Sequence, residues 1–118
     1  PKDALQPVPL AEVMQRARDG LVTIIDVRPP HEFAAAHLPG AINLPLADLA
    51  QRLGELPAGR EVVAYCRGRY CVLSFEAVAR LREAGFAARR IEDGIPRWIA
   101  DALPLEGDQT TYGGVAAA

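Results

Sequence analysis

The chain has 118 residues, half of them hydrophobic, with a formal net charge of −2 and a sequence pI near 5.7. That length suits one domain with a real core, and the charge gives no general basic surface, so this segment is not expected to bind nucleic acid. No apolar run approaches the roughly 18 residues of a membrane span, and the first residues do not read as a basic-then-apolar leader.

Residues 1–7 form a proline-bearing lead-in, and the prolines continue to Pro9. Leu10, Val13, Met14 and Ala17 make a helical stripe over Leu10 to Arg18, ended by Asp19-Gly20. Leu21 to Val27 is β-branched and almost continuously apolar, as in a strand covered on both faces. Pro29-Pro30 breaks it, and a short helix is expected from His31 to Ala36. A turn at His37-Leu38-Pro39-Gly40 leads to a short strand, Ala41 to Leu44. One helix is expected over Leu46 to Leu53, then a turn at Leu56 to Gly59. Glu61 to Tyr65 reads as the central strand, and Val72 to about Ala84 as a helix capped by Gly85. Phe86 to Ile91 reads as a further strand, and Ile95 to Asp101 as a last helix carrying Trp98. Residues 107–118 are small and polar without period and read as a disordered tail. The alternation predicts an α/β fold with a mainly parallel sheet and helices on both faces.

The chemistry concentrates in Cys66-Arg67-Gly68-Arg69-Tyr70-Cys71, between the central strand and a helix. In open α/β sheets that edge binds ligands, and free N–H groups at the helix start favour an anion. Gly68 lets the backbone curl into a nest, and Arg67 and Arg69 add two charges, so Cys66 is expected to be a reactive thiolate. Such a thiolate attacks sulfur, phosphorus or an oxidant. A thiol phosphatase needs an arginine six positions after the cysteine, where this chain has Val72, so phosphate chemistry is disfavoured. Two cysteines five positions apart make no disulfide framework, and Cys-x4-Cys with His31 and His37 on a distant segment is not a zinc pattern. No metal or cofactor is called for, and the expected location is the cytoplasm.

Four segments together resemble a single rhodanese-like domain over residues 8–106. They are Asp26-Val27-Arg28 with Glu32-Phe33; His37-Leu38-Pro39-Gly40-Ala41; the strand ending in Cys66 with its six-residue loop; and Asp93 to Trp98 followed by Leu103-Pro104. The loop, with Cys71 at its sixth position, is most similar to rhodanese domains found C-terminal to an ArsR-type winged helix in bacterial regulators. The start at Pro1 and the proline-bearing lead-in are compatible with such an upstream domain.

The resemblance implies a five-stranded, mainly parallel sheet and a sulfurtransferase. Cys66 would take sulfane sulfur from thiosulfate or a persulfide, and a thiol or cyanide would accept it in a ping-pong cycle. Arg67, Gly68, Arg69, Tyr70 and Cys71 would contact the donor: arginines orienting it, N–H groups stabilising the persulfide, Tyr70 shaping the mouth. The bland alternative for the arginines is a solvated surface. Cys71 has three readings: packing under the helix start, a resolving thiol forming a Cys66–Cys71 disulfide, or a weak hydrogen-bond partner. Asp26 and Arg28 are implied to be structural, holding nearby loops by an ion pair or hydrogen bonds; His37 is expected to be a structural hydrogen-bonding residue, His31 to lie at the surface and Trp98 in packing. Two other functions compete: a sensing domain in which Cys66 and Cys71 report reactive sulfur or oxidant to a transcriptional regulator, and an inactive binding module.

Overall fold

A computed structural model describes residues 8–108. Helix α1 (Leu10–Arg18) precedes strand β1 (Val22–Asp26), α2 (Pro30–Ala35) and β2 (Ile42–Asn43). A short segment with α3 (Leu49–Arg52) leads to β3 (Glu61–Tyr65), α4 (Val72–Glu83), β4 (Ala88–Arg90) and α5 (Ile95–Ala100). All strand pairs are parallel, in the order β2-β1-β3-β4.

The implied fifth strand is not present among the described residues; the sheet has four strands. Where a fifth would add, Val8 makes one parallel bridge to Ile91, its N–H donating to the Arg90 carbonyl at 3.1 Å. The next residue, Pro9, has no N–H for a further rung and leads directly into α1. The helix expected over Leu46 to Leu53 is also divided. A 3-10 turn at Leu46–Asp48, the four residues of α3 and a second 3-10 turn at Leu53–Glu55 replace it. Pro45, Gly54 and Pro57 leave too short a stretch for an α-helix to propagate.

Alternation along β1 and β3 sorts their side chains onto two faces. Ile25, Val27, Val62 and Ala64 pack with Leu49 of α3 and Ala77, Val78 and Leu81 of α4. Val22, Ile24, Val63 and Tyr65 pack with Val13 of α1 and with Ile95 and Trp98 of α5. The chain moves from β1 to one side and later returns to place β3 on the other. The C-terminal ends of β1 and β3 therefore flank the point where strand order reverses. Asp26 ends one of these strands and Cys66 follows the other.

The expected lead-in, 1–7, and residues 109–118 of the expected tail lie outside the described residues. Gly107 and Asp108 are described, and the Asp108 N–H donates to the Ala34 carbonyl at 2.6 Å.

Candidate active site

Cys66 continues the alternation of Val62 and Ala64, so its side chain turns toward α4 rather than toward solvent, and it is 1% exposed. The loop that follows is closed by the Cys71 N–H, which donates to the Gly68 carbonyl at 3.2 Å. Cys71 has extended backbone and caps α4, half-buried. The Cys66 sulfur lies 3.4 Å from the Cys71 carbonyl oxygen and 3.4 Å from Ser74 Oγ. The carbonyl accepts from the protonated thiol, whereas the Ser74 hydroxyl can donate to a thiolate.

The electrostatics of the two thiols depart from the expectation. Burial pushes the Cys66 thiol above its ordinary value and the neighbouring Cys71 pushes it further, against the stabilising Ser74 hydroxyl and N–H. Burial also acts to raise Cys71, but the Cys66 thiol, the backbone N–H groups of Arg67 and Leu73 and the Arg67 charge outweigh it, and Cys71 is lowered. The Cys66 thiol, with the backbone N–H groups of the loop, therefore favours charge on Cys71 before Cys66.

Both loop arginines are engaged. Arg67 grips Glu32 of α2 in a bidentate pair, Nε to Oε1 at 2.9 Å and Nη2 to Oε2 at 2.7 Å. The hydrogen bond from Arg67 draws the Glu32 carboxyl below its ordinary value. Arg69 Nε lies 2.6 Å from Glu92 Oε2, and its Nη2 lies 3.9 Å from Asp93 Oδ1. Tyr70 is 87% exposed and Val72 71%, so they form an apolar lip at the loop's outer edge.

Behind the loop sits a buried clamp. Arg28 donates from Nε to Asp26 Oδ1 at 2.9 Å, from Nη2 to Asp26 Oδ2 at 2.6 Å and from Nη2 to the Ala36 carbonyl at 2.6 Å. Burial works against the guanidinium's charge, yet hydrogen bonding to Asp26 and its charge hold Arg28 above its ordinary value. Asn43 donates to the carbonyls of Asp26 and Arg28, each at 3.0 Å. Tyr65 Oη accepts the Leu38 N–H at 3.0 Å. His37 Nδ1 lies 2.7 Å from the Phe33 carbonyl and its ring stacks on Phe33, whereas His31 is exposed and Trp98 is buried.

The turn after β4 packs directly beneath the cysteine loop. Gly94 has ordinary extended backbone, but a Cβ there would overlap the Arg67 carbonyl and come within 2.6 Å of the Cys66 carbonyl oxygen. The structure thus brings Cys66 together with Cys71 and Ser74, Arg67 with Glu32, and Arg69 with Glu92; the sequence reading named Glu32 only within a signature, without its partner, and did not single out Ser74 or Glu92. Ser74 left a signal of its own, as the one polar residue on the inward stripe of α4 with Ala77, Val78 and Leu81.

The family model of the Rhodanese-like domain matches residues 9–101, and the chain belongs to that family. It is 47% identical over 106 residues to the HTH-type transcriptional regulator Rv0324 of Mycobacterium tuberculosis, covering 90% of this chain. The chain spans 46% of that regulator's length. It is 34% identical over 85 residues to a sulfurtransferase of Allochromatium vinosum, covering 71% of this chain and 78% of that protein. The BH2092 protein of Bacillus halodurans shares the fold, with a TM-score of 0.78 at 22% identity over 90% of this chain and 79% of that one. The class is therefore the rhodanese and sulfurtransferase family, and one relative carries such a region within a transcriptional regulator.

Proposed function

We propose that this domain carries sulfane sulfur on Cys66, taking it from thiosulfate or a persulfide and giving it to a thiol acceptor. The observation that supports this most is the Cys66 sulfur just past the end of β3, 3.4 Å from the Ser74 hydroxyl in the first turn of α4. Once deprotonated, Cys66 attacks the outer sulfur of a persulfide, R–S–SH. The donor S–S bond breaks, R–S⁻ leaves, and Cys66–S–SH remains. From thiosulfate the leaving group is sulfite. An acceptor thiolate then attacks the outer sulfur and regenerates the Cys66 thiolate; cyanide does the same and leaves as thiocyanate. Gly68 and its neighbours supply the loop backbone around the persulfide, and Tyr70 and Val72 border the acceptor's approach. Free thiols suit the reducing cytoplasm.

A second reading is a reactive-sulfur or redox sensor, favoured by the mutual influence of the two loop thiols. A Cys71 thiolate attacks the inner sulfur of Cys66–S–SH, forming a Cys66–Cys71 disulfide and releasing HS⁻. In this reading an upstream winged-helix domain receives the signal, and the 47% identity to an HTH-type transcriptional regulator supports it.

Intact mass of the reduced protein after incubation with each donor, then with cyanide, tests both. The expected result is a gain of one sulfur atom that cyanide removes, absent in Cys66→Ala. Loading retained on Cys71 in Cys66→Ala overturns the assignment. Loss of two hydrogens without turnover favours the sensor.

A further inference from the structure

Arg67 and Arg69 are the cations nearest the nucleophile in sequence, yet neither faces the loop unengaged. Glu32 reaches in from α2 and Glu92 from the turn after β4, and each holds one guanidinium, at 2.7 Å and 2.6 Å. Asp93 adds a third carboxylate beside Arg69. Arg97, which also feels the charge of Asp93, brings its own carboxylate partner, Asp101, at 3.0 Å and leaves the excess unchanged. The rim thus carries three carboxylates against two guanidiniums, before any charge on Cys66 or Cys71 is counted. Both guanidiniums are half exposed, so the pairs open at little cost; what persists is the local charge.

Donors differ in how they meet such a rim. Thiosulfate is a compact dianion whose sulfonate end needs unbalanced donors beside the reacting sulfur. A persulfide has at most one negative charge at the reacting end, and its carrier can rest on the apolar lip of Tyr70 and Val72. At an effective dielectric constant of about 60 and a separation of about 8 Å, one carboxylate costs a dianion about tenfold in affinity.

We propose that Glu32 and Glu92 are specificity-determining residues of the cysteine loop: their charge, which with Asp93 exceeds that of Arg67 and Arg69, turns away compact dianions such as thiosulfate and leaves the site to persulfide donors. The proposal rests on the sulfur-carrier reading above.

The test is single-turnover loading of Cys66, followed by intact mass, with thiosulfate and with cysteine persulfide. In Glu32→Gln/Glu92→Gln, which removes two carboxylates, the second-order rate constant with thiosulfate is expected to rise about a hundredfold, while that with cysteine persulfide, with at most one negative charge at its reacting end, rises about tenfold or less. Aspartate at both positions is expected to restore the discrimination. An unchanged thiosulfate rate, or an equal rise with both donors, overturns the proposal and leaves the carrier reading standing. Wild-type protein supplies an independent check if the double variant folds poorly. A repelling rim makes thiosulfate loading faster as sodium chloride screens it, whereas attracting arginines make it slower, and a slowing overturns the proposal. No loading of Cys66 by either donor in any variant overturns the carrier reading and this proposal with it.

Discussion

The same chemical pair, guanidinium and carboxylate, occurs in two settings around the cysteine loop. The Asp26–Arg28 clamp is sealed, with side chains 0% and 1% exposed, and joins the end of β1 to the end of α2 through the Ala36 carbonyl. The Arg67–Glu32 and Arg69–Glu92 pairs lie at the rim, their arginines 52% and 51% exposed. Geometry is similar in both, so burial decides what each does. Inside, removing one partner strands a charge away from water. Outside, water replaces the lost partner, and the pair acts through its field on an incoming ligand.

The largest effect expected from this contrast is at the clamp. Arg28→Ala should lower the stability to urea by about 3–5 kcal/mol, because Asp26 is left buried without its counter-charge. A loss under about 1 kcal/mol would mean that water reaches Asp26 and that the two settings are not distinct. An intermediate effect is expected within the loop. Cys71→Ser removes the neighbour that raises Cys66, so the Cys66 thiolate should form at lower pH. Its alkylation by iodoacetamide, followed by mass, should then rise at a lower pH than in wild type. In wild type the rise belongs above the ordinary cysteine value of 9.0; a profile that Cys71→Ser leaves in place would separate the two thiols.

The smallest effect is expected at the rim. Glu32→Gln should change stability by less than about 1 kcal/mol. Arg67 holds the Glu32 carboxyl below its ordinary value of 4.5, so the pair's contribution is present above that pH. It is lost as pH falls through the lowered native value. Urea titrations of wild type and variant should therefore differ slightly near neutrality and converge in acid. A difference that grows in acid would reverse the sign.

The sheet was legible because β1 and β3 are apolar on both faces, and only parallel strands between two helical layers demand that. The four signatures located Cys66, Asp26 and Arg28 because each is a contiguous pattern. The rim was not legible. Glu32 and Arg67 are 35 positions apart, and Glu92 and Arg69 sit on either side of α4, so nothing local marks them as partners. The expected thiolate on Cys66 followed from counting charges and N–H groups along the loop. It missed that the alternation of β3 buries the sulfur on the α4 face, where desolvation opposes charge. The fifth strand came from resemblance, and Pro9 holds it to one bridge.

Gly94 sets a floor under the cysteine loop. Its backbone lies against the Cys66 and Arg67 carbonyls with no side chain between them. The loop therefore cannot deepen to admit a bulkier group, and an inserted residue has only the solvent side in which to grow. A longer loop would therefore rise outward from a fixed base, because the turn at residue 94 keeps the Cys66 and Arg67 backbone where it is.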